Sequence, residues 1–148
     1  VSGICAMGFE SFPELDLFFS GDEVSLRNYI QQGIMFMAFD SENTTFEFSP
    51  NVNIFTENLA FRMSTDNYLN LNVGVIPSAG GEIIEQSLKN FGGSDVGMFT
   101  TIYETEIGKF TTIQYLWTEG DVGWIVTMSF LVDHNYSAIT EAIARSMF

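Results

Sequence analysis

The chain has 148 residues, 46% of them hydrophobic and 15% aromatic, and five basic residues face 19 acidic ones for a formal charge of -14. That length suits one domain spanning residues 1–148, and the apolar share excludes a disordered chain. The charge excludes nucleic-acid binding through the chain's own surface, because such affinity comes from Lys and Arg displacing counterions, and no apolar run approaches the ~20 residues of a membrane span.

The elements, in chain order, predict an α+β domain. Residues 4–9 and 15–19 read as two short strands around Pro13. Cys5, the single cysteine, fits the first as a small apolar residue and has no partner for an internal disulfide. Ile4 before it, where a lipobox needs a small residue, removes it as an acylation site. Ser20 and Glu23 have capping-box spacing, and Leu26, Tyr29 and Ile30 then give a short amphipathic helix stopped by Gly33. The apolar run 34–39 predicts a strand covered on both faces, and 52–59 predicts a second.

Residues 64–76 fit two patterns. Leu69, Val73 and Ile76 give a helical face behind a Ser64 or Asp66 cap, while Leu69, Leu71, Val73 and Val75 give β alternation. Ile84, Leu88 and Phe91 predict another helix, with Lys89 in its last turn and Gly92-Gly93 as its stop. Residues 96–107, 110–118 and 122–132 predict three consecutive strands. Gly108-Lys109 is expected as a type II′ hairpin turn, and Glu119-Gly120-Asp121 as the next. Val122, Trp124, Val126, Met128, Phe130 and Val132 share one face of the last strand, opposite small or polar Gly123, Thr127 and Ser129, so one face is expected under a helix and the other less covered. That helix spans 136–147, with Asn135 as its cap and Tyr136, Ile139, Ile143 and Met147 as its apolar face.

Chemistry-bearing patterns are sparse. One histidine, His134, and one cysteine cannot build a His/Cys metal site, and no Gly-x-Ser-x-Gly elbow or phosphate-cradling glycine loop is present. Paired carboxylates remain. Glu104 and Glu106 share a face if both lie in a strand, and Glu119 and Asp121 flank a turn. Each pair reads as solvated charge, as oxygen ligands for a divalent cation such as calcium, or as an acid–base pair if buried together. Asn43-Thr44-Thr45 and Asn135-Tyr136-Ser137 match the N-glycosylation pattern, which short sequences also meet by chance.

Asn51-Val52-Asn53-Ile54 followed by Glu57-Asn58-Leu59, then Ile107-Gly108, Val126-Thr127-Met128-Ser129-Phe130 and the closing Arg145-Ser146-Met147-Phe148, resemble in order the motifs of PsbP-like domains over residues 52–148. That family includes the extrinsic photosystem II subunit PsbP, small exported bacterial lipoproteins and a Ran-binding nuclear import factor. The resemblance implies an antiparallel sheet with flanking helices, no enzymatic activity, no catalytic residues to carry over, no cofactor beyond a divalent cation, and an extracytoplasmic location. A start at Val1 rather than Met is what a processed product would show. The expected function is a non-enzymatic binding or assembly module for a protein partner, with acidic rims steering a basic one. Glu104, Glu106, Trp117, Glu119 and Asp121 are the candidate contact residues, because strand ends and turns carry function more often than packed faces. Trp117 is alternatively a core residue. The alternative function is a small acidic cytoplasmic chaperone that holds an apolar segment of a secreted partner, usually as a dimer. Sequence leaves the oligomeric state open.

Overall fold

A computed structural model describes residues 33–40, 42, 43, 45, 48–106 and 108–148. The expected strands at 4–9 and 15–19 and the helix behind Ser20 lie outside the described residues, as does Cys5. The elements are β1 (Ile34–Phe39), β2 (Asn51–Asn58), α1 (Thr65–Val75), a 3-10 turn (Pro77–Ala79), β3 (Gly81–Phe91), β4 (Ser94–Thr105), β5 (Gly108–Glu119), β6 (Val122–Leu131) and α2 (Ser137–Arg145). The six strands form one antiparallel sheet in the order β1-β2-β6-β5-β4-β3, so β3 to β6 are a meander and β2 joins β6 from far along the chain. The protein is therefore α+β, with a strand meander followed by a closing helix.

Alternation along the strands sends side chains to two faces, and each face builds its own core. One core gathers Val96, Met98, Ile113, Tyr115, Trp117, Val126, Met128 and Phe130 beneath Tyr136, Ile143 and Ala144 of the α2 region. The other gathers Phe99, Leu116 and Ile125 beneath Tyr68, Leu69 and Ile76 of the α1 region. Trp124, Val126, Met128 and Phe130 of β6 thus lie on the α2 side, as their alternation predicts. On the opposite side Gly123 lets Tyr68 approach, since a Cβ there would sit 2.4 Å from the tyrosine oxygen. Further along that side Thr127, Ser129 and Leu131 stay half-buried. β1, at one edge of the sheet among the described residues, is half-buried from Met35 to Phe39.

The ambiguous segment is a helix. Ser64 takes extended backbone angles and its hydroxyl accepts from the Asn67 N–H, so one orphan donor of the first turn is satisfied. Tyr68 and Leu69 then bury completely, while Leu71 and Val75, the residues that favoured alternation, point to solvent.

Three expectations need correction. The segment with Ile84, Leu88 and Phe91 is not a helix but strand β3. Leu88 and Phe91, three residues apart in a regularly paired stretch of strand, point to opposite faces, so apolar residues of both faces together give the helix-like spacing. Ile84 and Leu88 are about half exposed, at 53% and 47%, whereas Phe91 is buried at 1%, so the three share no face. Gly92-Gly93 is accordingly a hairpin turn with positive φ at both positions, the type I′ pattern. The β4–β5 turn is not at Gly108-Lys109: Gly108 and Lys109 are already in β5, paired with Thr105 and Glu104. The turn at Gly120-Asp121 is where it is expected, closed by the Glu119–Val122 pair, with positive φ at Gly120.

Helix α2 also differs in its buried face. Tyr136, Thr140 and Ala144 are buried, and Ile139 and Met147 are exposed. Tyr136 occupies the cap position, while Asn135 accepts from the Ser137 N–H with its side-chain oxygen. A small-residue stripe packs closer to the sheet than an isoleucine stripe would, and the Thr140 hydroxyl donates to the Tyr136 carbonyl.

Candidate functional site

The meander and α2 leave an open groove of about 490 Å³ between them. Met98 and Ile113, alternating inward on β4 and β5, make its floor with Tyr115. Glu85 and Lys89 of β3 stand on one side. Ala138, Glu141, Ala142 and Arg145 stand on the other, at the i, i+3, i+4, i+7 spacing of one helical face. The two alanines keep that wall low, which is why the groove is open rather than filled.

Charge converges on Glu141. Its Oε2 accepts from Lys89 Nζ at 2.8 Å and from the Tyr115 hydroxyl at 3.3 Å. Its Oε1 accepts from Arg145 Nε at 2.9 Å, and Arg145 Nη2 lies 2.8 Å away. Hydrogen bonds from Lys89 and then Arg145 hold the Glu141 carboxyl down at about 2. Burial, with the neighbouring Glu141 charge, pushes the Tyr115 hydroxyl up to about 12. Both cations also sit over rings: Lys89 Nζ is 5.7 Å from the Tyr115 centroid, and the Arg145 guanidinium carbon is 4.1 Å from that of Phe91. The groove thus holds two carboxylates, Glu85 and the cation-bound Glu141, beside a neutral phenol and two cations, Lys89 and Arg145.

The carboxylates singled out from sequence lie elsewhere and apart. Glu104 is the penultimate residue of β4 and Glu106 lies in the following turn, so they do not share a strand face. Glu119 and Asp121 lie at the other end of β5, and that strand's 12 residues put roughly 35 Å between the two pairs at ~3.4 Å per residue. All four are exposed. Glu104 is 3.7 Å from Lys109 in a pair whose side chains are both more than half exposed, a contact that solvent screens. Among the described residues no three His, Cys, Asp or Glu side chains are grouped to hold a metal ion, so neither pair is brought into such a site. Trp117 is 3% exposed and stacks on Trp124, with ring centres 5.8 Å apart, so it is a core residue and not a surface contact.

His134 lies in the loop before α2, as expected, with Nδ1 buried and no hydrogen-bond partner among the described residues. Asn43 donates to Asp40 from the amide that glycosylation would modify. Sequence reading missed Lys89, Tyr115, Glu141 and Arg145. The i, i+4 pair Glu141–Arg145 was visible within the last helix. Lys89 was hidden by the helical reading of β3.

The chain matches no family model and no curated protein. Among solved structures it is similar to a protein of unknown function, PA94 from Pseudomonas aeruginosa, at a TM-score of 0.62 and 11% identity, covering 78% of this chain and 80% of that one. At that identity the likeness shows the fold alone.

Proposed function

We propose that the protein is a non-enzymatic binding module whose working surface is the groove between α2 and the sheet, and that its ligand is a protein partner. The observation that carries this reading is the groove itself: it has the size of a recognition pocket, an apolar floor and a few fixed polar groups. Its groups suit binding better than catalysis. A carboxyl held at about 2 and a phenol raised to about 12 keep their protonation states across neutral pH, whereas a general acid or base works best near it. The resemblance to PsbP-like domains, which are binding and assembly proteins, supports the same reading and adds an extracytoplasmic location. The net charge of -14 favours a basic partner at long range.

A photo-crosslinking amino acid at Ala142, in the groove, and another at Glu106, on the distant hairpin, test this in the source cell. A discrete crosslinked partner from Ala142 and none from Glu106 is expected. Crosslinks from Glu106 alone would overturn the assignment of the surface. The chaperone reading is favoured by one observation, the exposed Phe61, Leu71, Val75, Ile84, Leu88 and Ile139 side chains. It predicts a tight homodimer in sedimentation, and a monomer at micromolar concentration removes it.

A further inference from the structure

We propose that the groove recognises the C-terminal end of a partner polypeptide, with the free carboxylate bound by Lys89 and Arg145 and the last apolar side chain resting on Met98 and Ile113. This inference rests on the binding-module reading above and names what that site takes.

Cations are scarce in this chain, five in 148 residues, yet two from distant elements line one groove. Glu141 holds both, but it does not exhaust them. It accepts one ammonium hydrogen from Lys89, while Arg145 turns only Nε and Nη2 toward it. An ammonium carries three N–H groups and a guanidinium five, so donors remain on both for a second acceptor. Their positions are also set before any ligand arrives. Phe91 lies under the guanidinium and Tyr115 under the ammonium, and ordering that is already complete is not charged against binding. A planar guanidinium fork matches a carboxylate, which can accept two parallel hydrogen bonds from it.

The rest of the molecule selects the ligand's charge. A net charge of -14 repels every negative charge a ligand brings, so a dianionic phosphate meets about twice the repulsion of a single carboxylate, and a polyanion meets far more. One local carboxylate on an otherwise basic segment satisfies both fields. Glu85 marks the direction of that segment. It is four residues from Lys89 on β3, roughly 13 Å along the strand, and it stands where upstream residues of the ligand would run. A basic side chain there would pair with it.

Fluorescence anisotropy with the full chain at low salt tests the proposal. The probe is a labelled pentapeptide, Arg-Gly-Ser-Ala-Leu, with a free C-terminal carboxylate, compared with the same peptide as its C-terminal amide. The acid is expected to bind roughly tenfold tighter than the amide, the scale of one charge-assisted hydrogen bond. The Lys89→Gln, Arg145→Gln double variant is expected to bind acid and amide alike, with its near-ultraviolet circular dichroism unchanged. The comparison on the unmodified chain needs no variant and stands whether or not the double variant folds. Equal binding of acid and amide to the unmodified chain overturns the inference while leaving the groove a polypeptide site. Binding of neither up to about 1 mM also overturns it, and the crosslinking experiment then decides the broader reading alone. Discrimination that survives in a folded double variant would move the carboxylate away from Lys89 and Arg145, and so also overturns it.

Discussion

Three tyrosine hydroxyls each donate to a carboxylate: Tyr68 to Glu57, Tyr115 to Glu141 and Tyr136 to Asp40. In a chain with 19 acidic and five basic residues, phenols supply donors that cations cannot. Glu141, bound by a phenol, has two cations as well. Its carboxyl falls from the usual 4.5 to about 2 in the folded protein, so the folded state binds fewer protons than the unfolded state in that interval. The resulting stability is present above pH 4.5 and is lost as pH falls toward 2. Glu141→Gln should therefore flatten the pH dependence of the urea midpoint between those values. A variant whose acid limb matches that of the unmodified protein would show that the carboxylate is not held by its cations. Asp40 acts in the same direction, lowered first by its hydrogen bond from Asn43 and then by that from Tyr136.

Among the elements, α1 depends on its cap more than on its composition. Its sequence, TDNYLNLNVGV, contains three asparagines and a glycine, none of which favours a helix interior. Ser64→Ala removes the hydroxyl that accepts from Asn67 and should cost about 1 kcal/mol, read as a shift in urea midpoint with unchanged slope. A change below a few tenths would mean that the burial of Tyr68 and Leu69 alone fixes the helix start. The same element shows what a sequence can disclose. Ser64 was legible because a cap is local chemistry, and β6 was legible because Val122, Trp124, Val126, Met128 and Phe130 keep a two-residue period along it. β3 was not, because Ile84, Leu88 and Phe91 are drawn from more than one face of a strand and fall by sequence at helical spacing. The groove was illegible for another reason: Lys89 and Glu141 are 52 residues apart, and only the folded sheet brings them within 2.8 Å. The acidic pairs were visible as residues, and turns expected on either side of 110–118 already set them at opposite ends of one strand.

At the scale of the whole molecule the tyrosines set an alkaline limit. Burial first, and then the partner carboxylate, raises Tyr136 and Tyr115 from 10 to about 12, and Tyr68 is raised further. The folded protein then keeps protons that the unfolded chain releases, so this stability is complete below pH 10 and disappears as pH rises through 12. The urea midpoint should hold steady up to about pH 9 and fall steeply above 10, together with the ultraviolet signal of phenolate. Tyrosines that ionise near 10 while the fold persists would contradict their burial.

The pairing of β2 with β6 has a consequence in time. Asn51 meets Ser129 and Asn58 meets Val122, so most of the chain must be made before β2 acquires its inner neighbour. At about 5–20 residues per second a ribosome needs on the order of ten seconds to deliver that partner. Among the described strands β1 and β2 can meanwhile pair only with each other, and a lone hairpin is marginal in water. The β3–β6 meander needs no earlier strand. Synthesis therefore passes through an interval in which β1 and β2 are finished and the strand that seats them has yet to be translated.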